Sequence, residues 1–425
     1  MARLLALLAA RAAALAAPTA TLLWQQGEPD ATYTSAAVSL HGASAAPTFA
    51  TATSGLDSWP VVLEVYNVSS GNGGSVAWQY AAAADNATSF FVAMARHTEG
   101  TGAGAVDTVI IEGDKDAASD VWLRGFASLG AGAPAWSLRV PNVRLASGLA
   151  VADDGSAAAM AAFLVDAASG QVFPQLLVVD AQSGRLKVNV TRALGNPGGP
   201  VSMSATGAWV AWTQGDSVFV YSGATGALRG EAIAMGWNTA AQITDSGDEV
   251  LFSGQDAAQA WSWDAASGVY KQLWSVVPPG APWFSESCAV SSNSAKYGAL
   301  VAFGWTTIKG LQARVTVYEV KTAKLLTDYT TLPNAQLQTS AAVRMDGDFV
   351  GIASWGDSDD VPTAILLQAG AKDPIFTFVT PGSMFGVDVA VAGDGDVYFS
   401  VAGKHVPANV MGKGGDAYTW RVTGA

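Results

Sequence analysis

The chain has 425 residues, of which 50% are hydrophobic and only 13% are charged, and it contains 46 glycines. Disordered chains combine few apolar residues with many charges, so this composition predicts a folded protein with a large core and many turns. The formal net charge is −13, and no cluster of Lys and Arg occurs along the chain. Because phosphate-rich partners are bound by such clusters, the sequence argues against nucleic acids and anionic membrane surfaces as partners.

The N-terminal segment has the three-part pattern of a secretory signal peptide. It reads MARLLALLAARAAALAAPTA, a short basic start followed by an apolar run and small residues that suit cleavage. We therefore assign residues 1–20 to a signal peptide and expect a secreted, extracellular protein. Arg11 interrupts the apolar run and no acidic residue precedes Glu28, so an organelle transit peptide, with an organelle lumen as destination, is the alternative. No later segment has the roughly 20 apolar residues of a membrane span.

Three N-x-[ST] sequons agree with export, and we predict Asn67, Asn86 and Asn189 as glycosylation sites. Such sequons also arise by chance. The single cysteine, Cys288, excludes an internal disulfide. The mature fold must therefore be held by packing and hydrogen bonds alone.

A repeated unit of two hairpins dominates the rest of the chain. One first hairpin is AAQITDSGDEVLFSG from Ala240, and one second hairpin is AWSWDAASGVYKQLW, which ends at Trp274. Their Asp-Gly and Ser-Gly pairs supply the positive φ that tight hairpin turns require. The first-hairpin turns recur about every 50 residues, the period of four-stranded propeller blades. They fall near Gly42, Gly102, Gly155, Gly207, Gly247, Asn293, Gly347 and Gly395.

Eight turns predict an all-β fold, a single β-propeller of eight four-stranded blades over residues 21–425, with seven blades as the alternative. The last unit lacks a strand, because DAYTWRVTGA supplies only one before the chain ends. The N-terminal run TATLLWQQ is similar to the outer strands of other units. We therefore expect residues near Thr21 to Gln26 to complete the last blade and close the ring, which removes open strand edges.

The second hairpin resembles the quinoprotein-type (PQQ-type) propeller repeat, D-x-x-[ST]-G-x-x-x-x-x-W. Asp264 to Gly268 followed by Trp274 carries the whole pattern, Asp180 to Gly184 carries its first half, and Ala323 stands at the place of the turn glycine in another unit. The tryptophans at the place where that family docks one blade onto its neighbour are Trp24, Trp78, Trp136 and Trp274. Quinone-binding members hold calcium through carboxylates and an Asn, and many have adjacent cysteines, a set with no equivalent here. The resemblance therefore implies the fold of cofactor-free, scaffold-like members and no cofactor.

Motifs for catalysis or metal binding are missing from the sequence. His41, His97 and His405 have no metal-binding spacing, and we interpret them as solvated loop residues. No nucleophile elbow, phosphate-binding glycine loop or zinc cysteine pair occurs. Asp388, on a predicted innermost strand, is a candidate acid that more often would be a satisfied structural group. We predict no catalytic residue and no metal site, and we favour a non-catalytic protein.

An excess of tryptophan, 15 residues, is the most suggestive feature. Several lie where connections would emerge on one propeller face, beside an aromatic and an acidic loop. The predicted ligand-binding face comprises Trp59, Trp237, Trp283, Trp305, Trp355, Phe385, Asp357, Asp359 and Asp360. Aromatic rings beside carboxylates can hold sugars or extended peptides. The alternative is that these tryptophans cap the core between blades.

Three functions follow from these observations. The favoured one is a secreted binding or scaffold module, a monomer that engages a protein or glycan through the aromatic, acidic face. The alternative is an enzyme, either a polysaccharide hydrolase or lyase or a degenerate quinoprotein, which would need acid and base groups converging at the channel. The third is a structural wall or matrix component without a discrete ligand. A propeller fold alone does not choose among them.

Overall fold

The computed structural model describes residues 18–28, 32–41, 47–54, 62–67, 75–81, 87–98, 104–114, 120–166, 168–192, 198–233, 238–254, 257–280, 282–307, 312–331, 341–354, 361–380, 382–405 and 415–425. Within these ranges the regular structure is entirely β, and no helix is present that could cross a bilayer.

The strands of the first half of the chain are β1 (Thr19–Glu28), β2 (Thr32–Ser39), β3 (Thr48–Ser54), β4 (Val62–Asn67), β5 (Ser75–Ala81), β6 (Ala87–Met94), β7 (Thr108–Asp114), β8 (Val121–Phe126), β9 (Trp136–Val140), β10 (Val143–Val151), β11 (Ala157–Val165), β12 (Val172–Asp180), β13 (Leu186–Thr191), β14 (Gly198–Met203), β15 (Trp209–Gln214), β16 (Ser217–Ser222) and β17 (Leu228–Ile233). Those of the second half are β18 (Asn238–Ile243), β19 (Glu249–Gly254), β20 (Ala258–Asp264), β21 (Val269–Val276), β22 (Trp283–Ser294), β23 (Gly298–Thr307), β24 (Ala313–Glu319), β25 (Leu325–Thr330), β26 (Ala341–Asp346), β27 (Phe349–Ser354), β28 (Ala364–Gln368), β29 (Phe376–Phe378), β30 (Gly382–Val391), β31 (Val397–His405) and β32 (Gly415–Thr423).

These strands form eight antiparallel four-stranded blades in a ring, which confirms the predicted eight-bladed β-propeller and removes the seven-bladed alternative. Blades 1 to 7 take four consecutive strands each, starting with β2, β6, β10, β14, β18, β22 and β26, and the first strand of each blade is innermost. Blades 1 and 2 also share one pairing between β3 and β6, at Ser54 and Ser89.

The N-terminal strand closes the ring, as the sequence predicts. Blade 8 has the order β1-β32-β31-β30, and β1 pairs antiparallel with β32 from Thr19 opposite Thr423 to Glu28 opposite Gly415. The two ends of the chain are thus joined in one sheet. This arrangement leaves no open edge at the junction where the ring would otherwise part.

The turns follow from their residue types. Gly155, Gly207 and Gly247, in first-hairpin turns, have φ between 66° and 71°, a region that glycine adopts at no steric cost. Ala323 occupies the same left-handed region with φ of 57°, at the place where the repeat would put glycine. The Asp264 carboxylate accepts hydrogen bonds from Ala266 N (3.0 Å) and Ser267 Oγ (2.6 Å), which fixes the turn by local side-chain contacts.

Tryptophans on outer strands dock each onto the next blade, as predicted. The indole Nε1 of Trp78, Trp136 and Trp274 donates to a backbone carbonyl just after the third strand of the following blade, at Ser128 (2.9 Å), Ala181 (2.6 Å) and Val320 (2.6 Å) respectively. The centroid of the Trp24 ring lies 3.8 Å from the centroid of the Tyr66 ring in blade 1. Large rings with one polar atom suit such semi-buried junctions. Whether the repeat belongs to the quinoprotein type stays a prediction.

The inner strands differ between their two ends. Near the N-terminal end, pairing with the second strand is shifted by a bulge or irregularity in every inner strand except β26. A bulge bends a strand and strengthens its twist. Because all inner strands run in the same direction about the axis, their N-terminal ends meet at one end of the central channel and their C-terminal ends at the other.

Candidate functional site

A channel runs along the propeller axis and holds two cavities. The first, of about 430 Å³, lies toward the C-terminal ends of the inner strands, and the second, of about 330 Å³, lies toward their N-terminal ends. Each is lined by residues of all eight inner strands. We call them the charged cavity and the apolar cavity, after the residues described next.

Arg96, just beyond β6, is the central cation of the charged cavity. Its guanidinium donates to Asp388 Oδ1 (3.1 Å) and to the carbonyl of Met345 (2.9 Å), and lies 4.0 Å from Asp153 Oδ2. Burial opposes the charge of Arg96, but the neighbouring carboxylates outweigh burial and raise its pKa. Arg96 therefore stays charged and ties blade 2 to blades 3, 7 and 8.

Asp388 is fully occupied as an acceptor. Besides Arg96, it accepts hydrogen bonds from Val38 N (2.9 Å) and Val389 N (3.0 Å). The first of these bonds joins blade 8 to blade 1. Asp388 is thus a satisfied structural acid, as the sequence suggests.

His97 and Asp346 form a second polar link across the same cavity. His97 Nε2 lies 3.0 Å from Asp346 Oδ2, and Asp346 Oδ1 accepts a 2.7 Å hydrogen bond from Asn293 Nδ2. Burial lowers the pKa of His97, but the hydrogen bond to Asp346 and the surrounding carboxylates outweigh it, so the pKa is raised. The pKa of Asp346 is lowered, despite its burial, chiefly by His97 and Arg96.

At this end of the channel, hydrogen bonds cross all eight boundaries between blades. In order from the boundary of blades 1 and 2, they run from Leu40 N to Arg96 O (2.9 Å), His97 N to Asp153 O (2.9 Å), Asp154 N to Ala205 O (3.2 Å), Ala205 N to Asp245 Oδ1 (2.8 Å), Asp245 N to Ser292 Oγ (3.2 Å), Gly347 N to Asn293 Oδ1 (2.8 Å), Val391 N to Asp346 Oδ2 (2.7 Å) and Val38 N to Asp388 Oδ2 (2.9 Å). Half of these links use an acidic or amide side chain. The polar groups here therefore hold the ring together.

Carboxylates remain accessible at the mouth of the charged cavity. Asp154 is exposed, Asp245 is half-buried, and the side chain of Asp153 is 31% exposed, against 16% for its partner Arg96. Burial raises the pKa of Asp153, while Arg96 opposes that rise. These acids lie on blades 3 and 5, so one sector of the mouth is acidic.

The apolar cavity has the opposite character. Its lining includes Phe91, Leu149, Val201 and Phe385, and Arg344 is the one charged residue among the described residues that line it. Arg344 and Gln242 line both cavities, so they lie at the boundary between them.

Of the predicted ligand-binding face, the described residues are Trp283, Trp305 and Phe385. Trp283 is buried with 7% exposure, and Trp305 is fully buried and donates its indole Nε1 to Thr316 Oγ1 (2.8 Å). Both belong to the core between blades 5 and 6, which matches the core-capping alternative for these two. Phe385 is half-buried and lines the apolar cavity. The predicted Trp59, Trp237, Trp355, Asp357, Asp359 and Asp360 lie outside the described residues.

The predicted glycosylation sites are described in part. Asn189 is exposed on the outermost strand of blade 3, where its Oδ1 accepts a hydrogen bond from Gln175 (2.9 Å). The side chain of Asn67 and the whole of Asn86 lie outside the described residues. No group of three or more potential metal ligands occurs within the described ranges.

His41 forms a polar cluster that the sequence interpretation missed. His41 is buried with 7% exposure, so its prediction as a solvated residue is wrong. Its Nε2 contacts Thr48 Oγ1 (2.8 Å), Ser128 Oγ (3.0 Å) and Asp107 Oδ2 (3.4 Å), and its Nδ1 contacts Thr98 Oγ1 (2.9 Å). In a catalytic triad the acid and the nucleophile lie at opposite ring nitrogens. Here Asp107 and Ser128 both lie at Nε2, and Thr98, at Nδ1, is 1% exposed and so is closed to a substrate. The cluster joins blades 1 and 2 as a structural contact.

Sequence reasoning also missed the charged cavity. One signal was present, since Asp153, Asp245 and Asp346 each lie at or just after the end of an inner strand and precede a turn glycine by one or two residues. Such aspartates are ordinary turn residues. Only ring closure brings them together with Arg96 and His97.

Comparison with known proteins adds likenesses of fold only. No protein-family model matches the chain, and no curated protein sequence matches it. Among solved structures, it is similar to U3-55K (12% identity, 73% of this chain, 91% of that chain, TM-score 0.49), to the RRP9 WD40 repeats (12%, 78%, 97%, 0.48) and to BamB from Moraxella catarrhalis (12%, 74%, 93%, 0.39). With TM-scores under 0.5, the eight-bladed fold rests on the strand pairing itself.

Proposed function

We propose that this chain is a secreted, non-catalytic binding module that engages a basic segment of a partner protein at the mouth of its charged cavity. The observation that carries the proposal is the imbalance of accessible charge at that mouth. Asp154 and Asp245 keep accessible carboxylates with no ion-pair partner among the described residues, whereas Arg96 is committed to Asp388, Asp153 and the carbonyl of Met345.

Charge supports this choice of partner. The whole chain carries a formal charge of −13, so its field attracts cationic segments before contact. Lys or Arg side chains that reach the mouth would meet carboxylates held in place by the ring. Asp154 accepts a hydrogen bond from Ser156 N of its own turn (2.9 Å), and Asp245 accepts one from Ala205 N of the neighbouring blade (2.8 Å). Preorganised acceptors lose little entropy on binding.

The occupied acids favour binding over catalysis. An enzyme acting on polysaccharide would need a pair of carboxyl groups free to exchange protons and face the substrate. Asp388 and Asp346 instead accept hydrogen bonds from backbone amides of neighbouring blades and from Arg96 or His97. These acids support the ring, which is the role a scaffold requires.

The predicted aromatic face remains a second proposal, for a glycan. Its support is Phe385, which is half-buried at the apolar cavity on the face where the predicted tryptophans would emerge. Binding on a glycan array that falls in a Trp237→Ala/Trp355→Ala variant would favour it. Unchanged glycan binding in that variant would remove this face.

The test of the main proposal is binding of a short Lys-rich peptide, compared with a Glu-rich peptide of equal length. The Asp154→Asn/Asp245→Asn variant keeps the acceptor oxygens that bond the turns but removes two charges. We expect about tenfold weaker binding of the Lys-rich peptide in this variant, and a strong dependence on salt.

The matched control is Asp216→Asn/Asp373→Asn, which removes two exposed charges away from the mouth. If both double variants weaken the peptide equally, the attraction belongs to the net charge alone and the proposed site is wrong. Binding that ignores salt would also contradict it.

Export is tested separately, by sequencing the N terminus of the mature protein from its source. A start no later than Thr21 is expected, because the part of β1 from Thr21 to Glu28 must survive cleavage to complete blade 8. A mature chain that retains Met1 would contradict secretion.

A further inference from the structure

Among the described residues that line the channel are two arginines, Arg96 and Arg344, and of these Arg96 alone forms an ion pair there. Arg344, on β26, lies at the boundary of the two cavities. The one hydrogen bond of its side chain among the described residues goes from Nη1 to the adjacent carbonyl of Val343 (3.2 Å). No ion pair within 4 Å reaches it in the described ranges. The protein surrounds this side chain, yet the side chain is exposed to the channel.

The carboxylate that attracts Arg344 forms its ion pair with another arginine. Asp388 is the carboxylate that acts on Arg344, and it is bonded to Arg96 and two backbone amides. Arg96 in turn repels Arg344, and burial together with that repulsion lowers the pKa of Arg344. An arginine remains protonated after such a shift. Arg344 therefore carries a positive charge that has no ion-pair partner within 4 Å among the described residues.

The apolar cavity leads to this charge. No carboxylate is among the described residues that line it, and its walls are formed largely by apolar residues such as Leu149, Val201 and Val387. Phe385 lies toward the N-terminal end of β30, and Phe91, in the middle of β6, is 43% exposed. The apolar cavity has a volume of about 330 Å³, at the lower end of the range for small-molecule sites.

Gln242 supplies a second donor at the same depth. Gln242 lines both cavities and is half-buried. Its side-chain amide has no hydrogen-bond partner among the described residues. A planar guanidinium and a primary amide together match the oxygens of a carboxylate, which a guanidinium can bind through two parallel hydrogen bonds. Both side chains open onto the channel, so a ligand that supplies oxygens here can accept hydrogen bonds from both.

We propose that the apolar cavity binds a small carboxylic acid with an apolar body, whose carboxylate lies against Arg344 and Gln242. The apolar body extends along Leu149 and Val201 toward Phe385. Binding removes this body from water and gives Arg344 an ion-pair partner, which it lacks among the described residues. The site is independent of the charged mouth and of any basic partner bound there.

The experiment measures binding of hexanoate and 4-phenylbutanoate to the purified chain by calorimetry, with hexanol and inorganic phosphate as comparison probes. Saturable one-to-one binding of at least one acid is expected, with hexanol and phosphate at least tenfold weaker. Arg344→Gln should weaken the acid at least tenfold, because a charge-assisted pair is lost. Arg344→Lys should retain part of the affinity, since it keeps the charge without the planar fork.

The matched control is Arg185→Gln, which removes one positive charge from the exposed turn before β13. It should bind the acids as the unmodified chain does, and all variants should unfold at similar temperatures. The proposal is overturned if neither acid binds saturably, if Arg344→Gln binds as tightly as the unmodified chain, or if phosphate binds as tightly as the acids.

Discussion

The two cavities of the channel are lined by the same eight strands but are built in different ways. At the charged cavity, side chains and turn amides from neighbouring blades bond to one another around the whole ring. At the apolar cavity, the backbones themselves approach, and glycine makes room for them. A Cβ at Gly386 would lie 2.6 Å from Ala36 N, and one at Gly148 would lie 2.9 Å from Val201 N.

This difference shows which groups are free for function. Arg96 and Asp388 at the charged cavity are committed to holding blades together, so their charge is already used. Arg344, at the boundary of the two cavities, forms no ion pair among the described residues, and its side chain bonds only to the neighbouring carbonyl. Arginine is therefore structural in the charged cavity, at Arg96, and available to a ligand at the boundary of the two cavities, at Arg344.

Removing Arg96 should have the largest effect. Arg96→Met keeps the aliphatic stem but leaves Asp388 and Asp153 without their cation. Breaking a buried pair on one side typically costs about 3–5 kcal/mol, and we expect a loss of unfolding free energy in that range. Denaturant unfolding measures it, with Arg185→Met as the exposed control. A loss under about 1 kcal/mol would show that the charged cavity does not hold the ring.

A methyl group at Gly386 tests the opposite end. Gly386→Ala would place Cβ against the backbone of Ser35 and Ala36 in blade 1, which cannot move without shifting β2. We expect a loss of roughly 2–3 kcal/mol by the same unfolding measurement, in the upper range for overpacking. Gly393→Ala, where a Cβ would meet nothing within 4 Å, is the control. Equal stability of the two variants would mean that close backbone approach is not what closes the ring at this end.

Protonation of His97 should make the charged cavity pH-sensitive. The pKa of His97 is raised in the folded chain because its bond to Asp346 outweighs burial. Its contribution is therefore fully present below the unfolded pKa of about 6.5 and is lost as pH rises through the higher folded value. The His97 side chain is about a third exposed, so its contribution to the unfolding free energy should stay near or below about 1 kcal/mol.

The measurement is unfolding free energy from pH 5 to 9 for the unmodified chain and His97→Gln. The difference between the two should shrink toward high pH. A difference that stays constant or grows with pH would show that His97 is not protonated by its contact with Asp346.

The sequence predicted the ring because its signals are local. Turn residues such as Gly155 and Gly247 fix hairpins within a few residues, and their spacing reports blade size whatever the distant contacts are. The outer-strand likeness of the N-terminal run, with Trp24, was enough to place β1 in blade 8. Trp136 and Trp274 dock onto neighbouring blades because repeats place equivalent residues at equivalent junctions.

The site was less predictable for a physical reason. Arg96 and Asp388 are 292 positions apart, and His97 and Asp346 are 249 apart. These contacts exist only once the ring has closed, and no periodic pattern marks them. The orientation of tryptophan side chains such as that of Trp305 could not be predicted either. An indole at the end of a strand can point into the core or out of it at the same sequence position.

Replacing Arg344 should have the smallest effect on stability, which sharpens the contrast with Arg96. Arg344→Gln removes a charge that the protein surrounds but that is exposed to the channel, and whose one side-chain hydrogen bond among the described residues goes to the neighbouring carbonyl. We expect unfolding free energy to change by no more than about 0.5 kcal/mol, or to rise slightly, because no partner is left unsatisfied. Unfolding of Arg344→Gln and Arg96→Met under the same conditions measures the contrast. If Arg344→Gln destabilises the chain as much as Arg96→Met does, both arginines are structural and the channel has no free cation to offer a ligand.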